Sequence, residues 1–226
     1  MKTKIVKKAV KATLPVMAGY LVLGAGFGIV MKANGYGIWW TVSMSLFIYA
    51  GSMQYIGVGL LTSGASLLSV ALTTLMVNAR HLFYGLSMVE KYKDTGAKKP
   101  YLIFSLTDET YSIVCSSEKD SNFYFLVSLL DHSYWVLGTA VGSLLGSVLR
   151  FNTEGIDFAL TALFLTVFTD QWLHGKKHFP AVCGVVVSVA CLLLFGPDRF
   201  LIPAMLLIAA ALVSKGYLKK EVKTDG

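Results

Sequence analysis

The sequence predicts an all-α, polytopic helical membrane protein, and three observations predict it. Hydrophobic residues make up 55% of the 226 and charged residues only 15%, too lopsided for an ordinary soluble domain. Apolar runs of bilayer length recur from Ala12 almost to the C-terminus, with short connections between them. The lysines behind the net charge of +7 collect at the two ends and in the connections, which reads as a topology signal and not as a nucleic-acid footprint. A single transmembrane domain is therefore expected over residues 1–226, surrounded by lipid bilayer.

Taken in order, Lys2, Lys4, Lys7, Lys8 and Lys11 precede a first span, Ala12–Met31. Its apolar stretch, about twenty residues, is longer than the core of a signal peptide, so an uncleaved helix is expected. Within it Gly24 and Gly28 form a small-xxx-small pair suited to close helix approach. After the turn Lys32–Gly37 comes Ile38–Leu61, opened by Trp39 and Trp40 at the level of an interfacial aromatic belt. This segment is interrupted at Ala50-Gly51-Ser52-Met53-Gln54. The next, Ser66–Val89, carries Asn78-Ala79-Arg80-His81 halfway along. An Arg near a bilayer centre costs roughly 2.5–3.5 kcal/mol on insertion scales, so Arg80 is expected to face protein or a water-filled cavity.

A loop, Glu90–Pro100, follows with Lys91, Lys93, Lys98 and Lys99. Tyr101–Ser116 is only marginally long for a crossing and carries Thr107-Asp108-Glu109-Thr110. Beyond the acidic turn Ser117–Ser121 lies Asn122–Leu149, over-long, with Asp131-His132 inside it. Gly155–Leu173, Phe179–Phe195 and Phe200–Val213 complete the series before a tail with Lys215, Lys219, Lys220 and Lys223.

The halves 12–116 and 122–214 look alike. Val22-Leu23-Gly24 and Gly28 match Val136-Leu137-Gly138 and Gly142; Gly37-Ile38 matches Gly155-Ile156; Ser69-Val70-Ala71 and Arg80 match Ser188-Val189-Ala190 and Arg199. The matches keep one order with a slowly growing offset, which points to internal duplication. Eight full crossings would leave Lys91–Lys99 outside. If instead Ile38–Leu61 and Gly155–Leu173 each dip in and return, all lysine-rich loops and both termini face the cytoplasm and the halves become inverted repeats. The positive-inside rule favours this version, although 24 residues suffice for a full crossing.

The candidate site follows from the polar residues buried in these runs. On a continuous helix Thr74, Asn78, His81 and Gly85 would share one stripe, with Arg80 on another face. Arg80 is expected to pair with Asp108 or Glu109, either to couple transport to an ion or as a packing bridge. A helix broken at Gly51-Ser52 would present backbone groups to an amino acid's carboxylate and amine, with Gln54 adding a neutral donor and acceptor. Substrate contacts are thus expected from Gly51, Ser52, Gln54, Asn78 and His81. Asp131 is left between lining a cavity and meeting an interface, and Asp170-Gln171 at a segment end reads as interfacial. Neither the histidines nor Cys115, Cys183 and Cys191 have metal-ligand spacing, so no metal and no cofactor is expected.

Gly51-Ser52-Met53-Gln54, the run Val77-Asn78-Ala79-Arg80-His81-Leu82-Phe83-Tyr84-Gly85, Thr107-Asp108-Glu109 and Trp135-Val136-Leu137-Gly138-Thr139 resemble the motif series of AzlC-type proteins. These are large subunits of branched-chain amino acid exporters, the azaleucine-resistance family. The resemblance covers roughly Leu14 to Val213. It implies export of leucine, isoleucine, valine or related apolar amino acids across the cell (inner) membrane, with a small AzlD-like membrane partner subunit. Asp131-His132 departs from the less acidic stretch expected before the tryptophan. A secondary carrier is the function expected, since no G-x-x-x-x-G-K-[ST] motif is present. A channel for a small anion or weak acid, or a structural subunit of a membrane complex, are the alternatives. No nucleophile–base constellation suggests an enzyme.

Overall fold

A computed structural model describes residues 2–148, 165, 168, 169, 172, 173, 178–196 and 200–221. The chain divides into two units, Met1–Leu160 and Thr161–Gly226. All regular structure among the described residues is helical, and the membrane-protein class read from the sequence stands.

The first unit is built on two long helices, α1 (Lys2–Ala33) and, far later in the chain, a helix from Ser121 to Val148. At 1.5 Å per residue they are roughly 48 and 42 Å long, enough to cross a bilayer. Helix α1 begins ten residues before the expected span. The lysines form its first turns, where Ala9 is completely buried and Lys8 lies over the Phe123 ring. The later helix is capped by Asp120, whose Oδ1 accepts from the N–H groups of Asn122 (2.9 Å) and Phe123 (3.2 Å).

Glycines fuse this pair. A Cβ on Gly24 would sit 2.9 Å from the Trp135 carbonyl oxygen, and one on Gly138 2.8 Å from that of Leu21. Gly28 meets the backbone of Thr139 and Ser143, and Gly142 the backbone of Ala25, closer still. The contacts are reciprocal: the positions matched between the two halves touch each other in both directions, as a two-fold axis between the helices would make them do.

They also rise together, Gly24 against Gly138 and Gly28 against Gly142, so the two helices run parallel. The inverted repeat expected from the sequence therefore does not hold for this pair.

The elements between show why. After α1, Ile38–Phe47 (α2) descends from the distal end to mid-height, where Ser45 faces Thr139 and His132. Tyr49 then takes a left-handed conformation (φ 45°), rare for a bulky residue and a mark of a forced turn. Gly51–Thr62 (α3) climbs back beside α2, pairing Gln54 with Ser45 and Gly57 with Met44. The first apolar segment thus dips in and returns, as the lysine distribution suggested.

Leu67–Asn78 (α4) and Arg80–Tyr92 (α5) together give one crossing length, broken at Ala79. There the N–H of Ala79 reaches Met76 O (3.4 Å) and that of Leu82 reaches Ala79 O (3.1 Å), three-residue spacings that interrupt the α-helical ladder. The single continuous stripe expected through Thr74, Asn78, His81 and Gly85 is interrupted there.

The unexpected element comes next. Tyr101–Ser116 is not a crossing but a second hairpin, entering from the basal end. Lys99–Phe104 (α6) rises from the basal loop and Asp108–Ser116 (α7) descends again. Lys91 caps the foot of α7 by donating to Cys115 O (2.8 Å) and Ser117 O (2.7 Å), and Lys98 donates to Asn122 (2.6 Å). Met88, Tyr92, Leu102, Val114, Phe123 and Val127 form the basal core beneath it. The first half therefore contains two long passages and two hairpins, one from each end, and finishes on the side where it began. That parity brings the helix from Ser121 to Val148 (α8) in parallel to α1. It also sets the Ser117–Ser121 turn beside the N-terminal lysines and not opposite them.

In the second unit Phe179–Phe195 (α9) packs on Leu201–Glu221 (α10), and the Trp172 ring stacks on His178, centroids 4.5 Å apart. Most of the expected segment Gly155–Leu173, with Asp170-Gln171 and Arg199, lies outside the described residues.

Candidate functional site

Three helix interruptions meet at mid-height beside α8. They are Tyr49–Ala50 between α2 and α3, Ala79 between α4 and α5, and Ser105–Thr107 between α6 and α7. Each starts a new helix whose N-terminal end, the positive end of its dipole, lies near the centre of the unit. At α7 the Thr107 hydroxyl caps by accepting from Thr110 N–H (3.3 Å), and Asp108 and Glu109 occupy the first turn where carboxylates are favoured.

Arg80 ties the three together. Its Nη1 lies 2.5 Å from Asp108 Oδ2 and its Nη2 donates to Ser52 Oγ at 2.7 Å. Ion pair and hydroxyl thus join the start of α3, α5 and α7. The side chains of Arg80 and Asp108 remain 26% and 31% exposed, so the pair is reachable and not sealed.

Glu109, the other partner considered, turns the opposite way: its Oε2 accepts from the Tyr20 hydroxyl of α1 at 2.6 Å. Asn78 and His81 lie alongside, with His81 Nδ1 3.2 Å from Asn78 O. The carboxamide oxygen of Asn78 is buried with no hydrogen-bond partner among the described residues. His81 closes the inner end of a cleft of about 290 Å³ between α5 and α6, lined by Gly85, Met88, Val89, Ile103 and Leu106 and ending at Lys99.

Two expected substrate contacts take other roles. Gln54 is completely buried; its Oε1 accepts from Trp135 Nε1 (2.9 Å) and its Nε2 donates to Ser45 Oγ (3.0 Å). Ser45 in turn donates to Thr139 Oγ1 (2.9 Å), so Gln54 clasps the α2–α3 hairpin to α8 instead of presenting its amide to a ligand. Gly51 faces the same indole: a Cβ there would lie 3.0 Å from Trp135 Cη2. Its small size is used by the tryptophan.

The residues that sequence reasoning passed over are the partners supplied by α1 and α8. Trp135 was visible only within a motif, and Tyr20 only as one more aromatic in an apolar span. Asp131 is placed without ambiguity: it is completely buried, its Oδ2 accepting from Thr110 Oγ1 at 2.8 Å. The signal that could have revealed the second hairpin was Thr107-Asp108-Glu109, a helix-start pattern in the middle of a supposed span.

Broken helices converging on a partly exposed ion pair at mid-height define a helical membrane transport protein. The chain belongs to the AzlC family: the family profile described as AzlC protein matches residues 15–149, which include every site residue named above. It is 46% identical to the Bacillus subtilis "Branched-chain amino acid transport protein AzlC" over 211 residues, covering 91% of this chain and 83% of that protein. It is 42% identical to an uncharacterized membrane protein of Helicobacter pylori (93% and 94% covered) and 27% to "Inner membrane protein YgaZ" of Escherichia coli (87% and 83%). No solved structure matches the chain.

Proposed function

We propose that this protein is the large subunit of a two-component secondary carrier that exports branched-chain or related apolar amino acids across the cell membrane. The observation that carries the proposal is the meeting of three helix starts around Arg80, Asp108 and Ser52. An amino acid presents a carboxylate, an ammonium and a side chain, and each finds a match. Arg80, with the N-terminal dipole of α3 behind Ser52, takes the carboxylate. The unpartnered Asn78 Oδ1 and the released Asp108 take the ammonium. The apolar walls of the α5–α6 cleft suit a side chain of leucine or valine size. The name of the Bacillus subtilis relative, a branched-chain amino acid transport protein, agrees with that chemistry. Energy comes from the proton gradient or membrane potential, and rocking of the hairpins about the mid-height site provides alternating access.

The test is efflux of radiolabelled leucine, isoleucine and valine from cells with and without this protein, each with and without the small membrane partner. Efflux is expected to need this protein and to rise with the partner. Efflux indifferent to its removal would end the proposal.

The same reading sets the topology: both termini and Lys91–Lys99 cytoplasmic, the Ser63–Gly64 turn outside. It is supported by Lys8 and Lys98 lying at one end of the α1–α8 pair. In a background lacking Cys115, Cys183 and Cys191, a cysteine at Ser63 should react with an impermeant reagent added outside and one at Lys93 should not. The reverse pattern would invert the assignment.

A further inference from the structure

Between Glu109 and Asp131 runs an unbroken line of hydroxyls. Glu109 Oε2 lies 2.6 Å from Tyr20 Oη, which lies 2.8 Å from Thr107 Oγ1; Thr107 Oγ1 is 3.1 Å from Thr110 Oγ1, which is 2.8 Å from Asp131 Oδ2. Each of these four links needs one proton. The three hydroxyls supply three, so the fourth must sit on one of the two carboxyls.

Glu109 feels the start of α7 and the Arg80 guanidinium, offset by the neighbouring Asp108 carboxylate, but nothing of the kind reaches Asp131, so two anions at the ends of this line are not both compensated. Among the described residues neither carboxylate has a salt-bridge partner, because Arg80 is joined to Asp108. Asp131 is wholly buried, and its Oδ1 has no hydrogen-bond partner among the described residues. The other titratable groups facing it are Tyr49, stacked on His132, and Tyr101 of α6; none is a fixed cation. His132 is itself occupied on both nitrogens, by the Tyr101 hydroxyl and Ser45 O, which fits a neutral ring.

We propose that Glu109 and Asp131 share one proton through Tyr20, Thr107 and Thr110, and that this relay is the proton-coupling element of the carrier. It rests on the export reading given above. With the proton on Glu109 the hydroxyls all point toward Asp131. Transfer moves it from Glu109 to Tyr20, while Tyr20, Thr107 and Thr110 each pass their own along and Asp131 receives the last. Afterwards every hydroxyl has again one proton, the carboxylic acid is Asp131 and the anion is Glu109. Glu109 is the partly exposed end and Asp131 the sealed one, so a proton taken up at the site is stored away from it.

Two measurements on the purified full chain test this. In infrared spectra near neutral pH the wild type should show a protonated-carboxyl band that shifts in D2O and vanishes when Glu109→Gln is combined with Asp131→Asn. In proteoliposomes, amino-acid efflux under a proton gradient is divided by exchange at equal pH. For Thr110→Val that ratio should fall to unity, and Thr110→Ser should restore it. If the valine variant does not accumulate, Tyr20→Phe replaces it with the same expectation. Absence of the band, or a wild-type ratio in the valine or phenylalanine variant, overturns the relay. A wild type that exchanges no branched-chain amino acid overturns the export reading instead, and the infrared band still decides whether the proton is shared.

Discussion

Gly142→Ala is expected to abolish the folded protein, although it adds a single methyl group. The new Cβ would overlap the backbone of Ala25, which has no side-chain torsion with which to move aside. Overpacking usually costs about 1–3 kcal/mol where neighbours can relax, and a backbone–backbone clash belongs at or beyond the upper end. Gly28→Ala should behave alike, meeting Thr139 O and Ser143 N on the opposite face of the same contact. The control is Gly19→Ala in the same helix, where nothing lies within 4 Å of the added carbon. Replacing an interior helical glycine by alanine there should be neutral or stabilising by about 1 kcal/mol. Thermal unfolding in detergent would read all three. Equal melting temperatures for the variants at Gly28, Gly142 and Gly19 would show that α1 and α8 are not packed as described.

The next largest effect is expected at the ion pair. Arg80→Met or Asp108→Leu alone leaves one charge without its partner in a poorly solvated place, a loss of roughly 3–5 kcal/mol for buried pairs and somewhat less for this partly exposed one. Membrane abundance should fall for each. The double variant Arg80→Met with Asp108→Leu removes both charges, and its abundance should recover. Efflux should not, because the proposed site then has no cation for the substrate's carboxylate. A double variant exporting at the wild-type rate would reduce the pair to scaffolding.

How much of this was legible in the sequence varied with the range of the interaction. The dip at Gly51-Ser52 and the charge at Arg80 could be read because each violates the apolar pattern of its own segment. The glycine pair in α1 could be read as a contact face, though not its partner. The parallel direction of α1 and α8 was not legible for a specific reason. Tyr101–Ser116 reads in sequence as a marginal crossing, and its break at Ser105–Thr107 contains neither glycine nor proline. One miscounted passage changes the parity and turns a parallel helix pair into an antiparallel one. The engagement of Gln54 could not be read because its partner, Trp135, is 81 residues away, and an amide satisfied across that distance looks in sequence like one awaiting a ligand. The same is true of Asp131, whose link to Thr110 and thence to Tyr20 exists only once three helices are assembled.

The claim on which the rest depends is that the Arg80–Asp108–Ser52 junction belongs to a carrier for apolar amino acids. Counterflow tests it most directly. Vesicles containing the protein and its small partner are loaded with unlabelled leucine and diluted into a trace of labelled leucine with no ion gradient. A carrier with one alternating site must bring labelled leucine transiently above its external concentration, and Arg80→Met must remove that overshoot. Labelled leucine that only equilibrates, with or without Arg80, would contradict the account and leave a pore in its place.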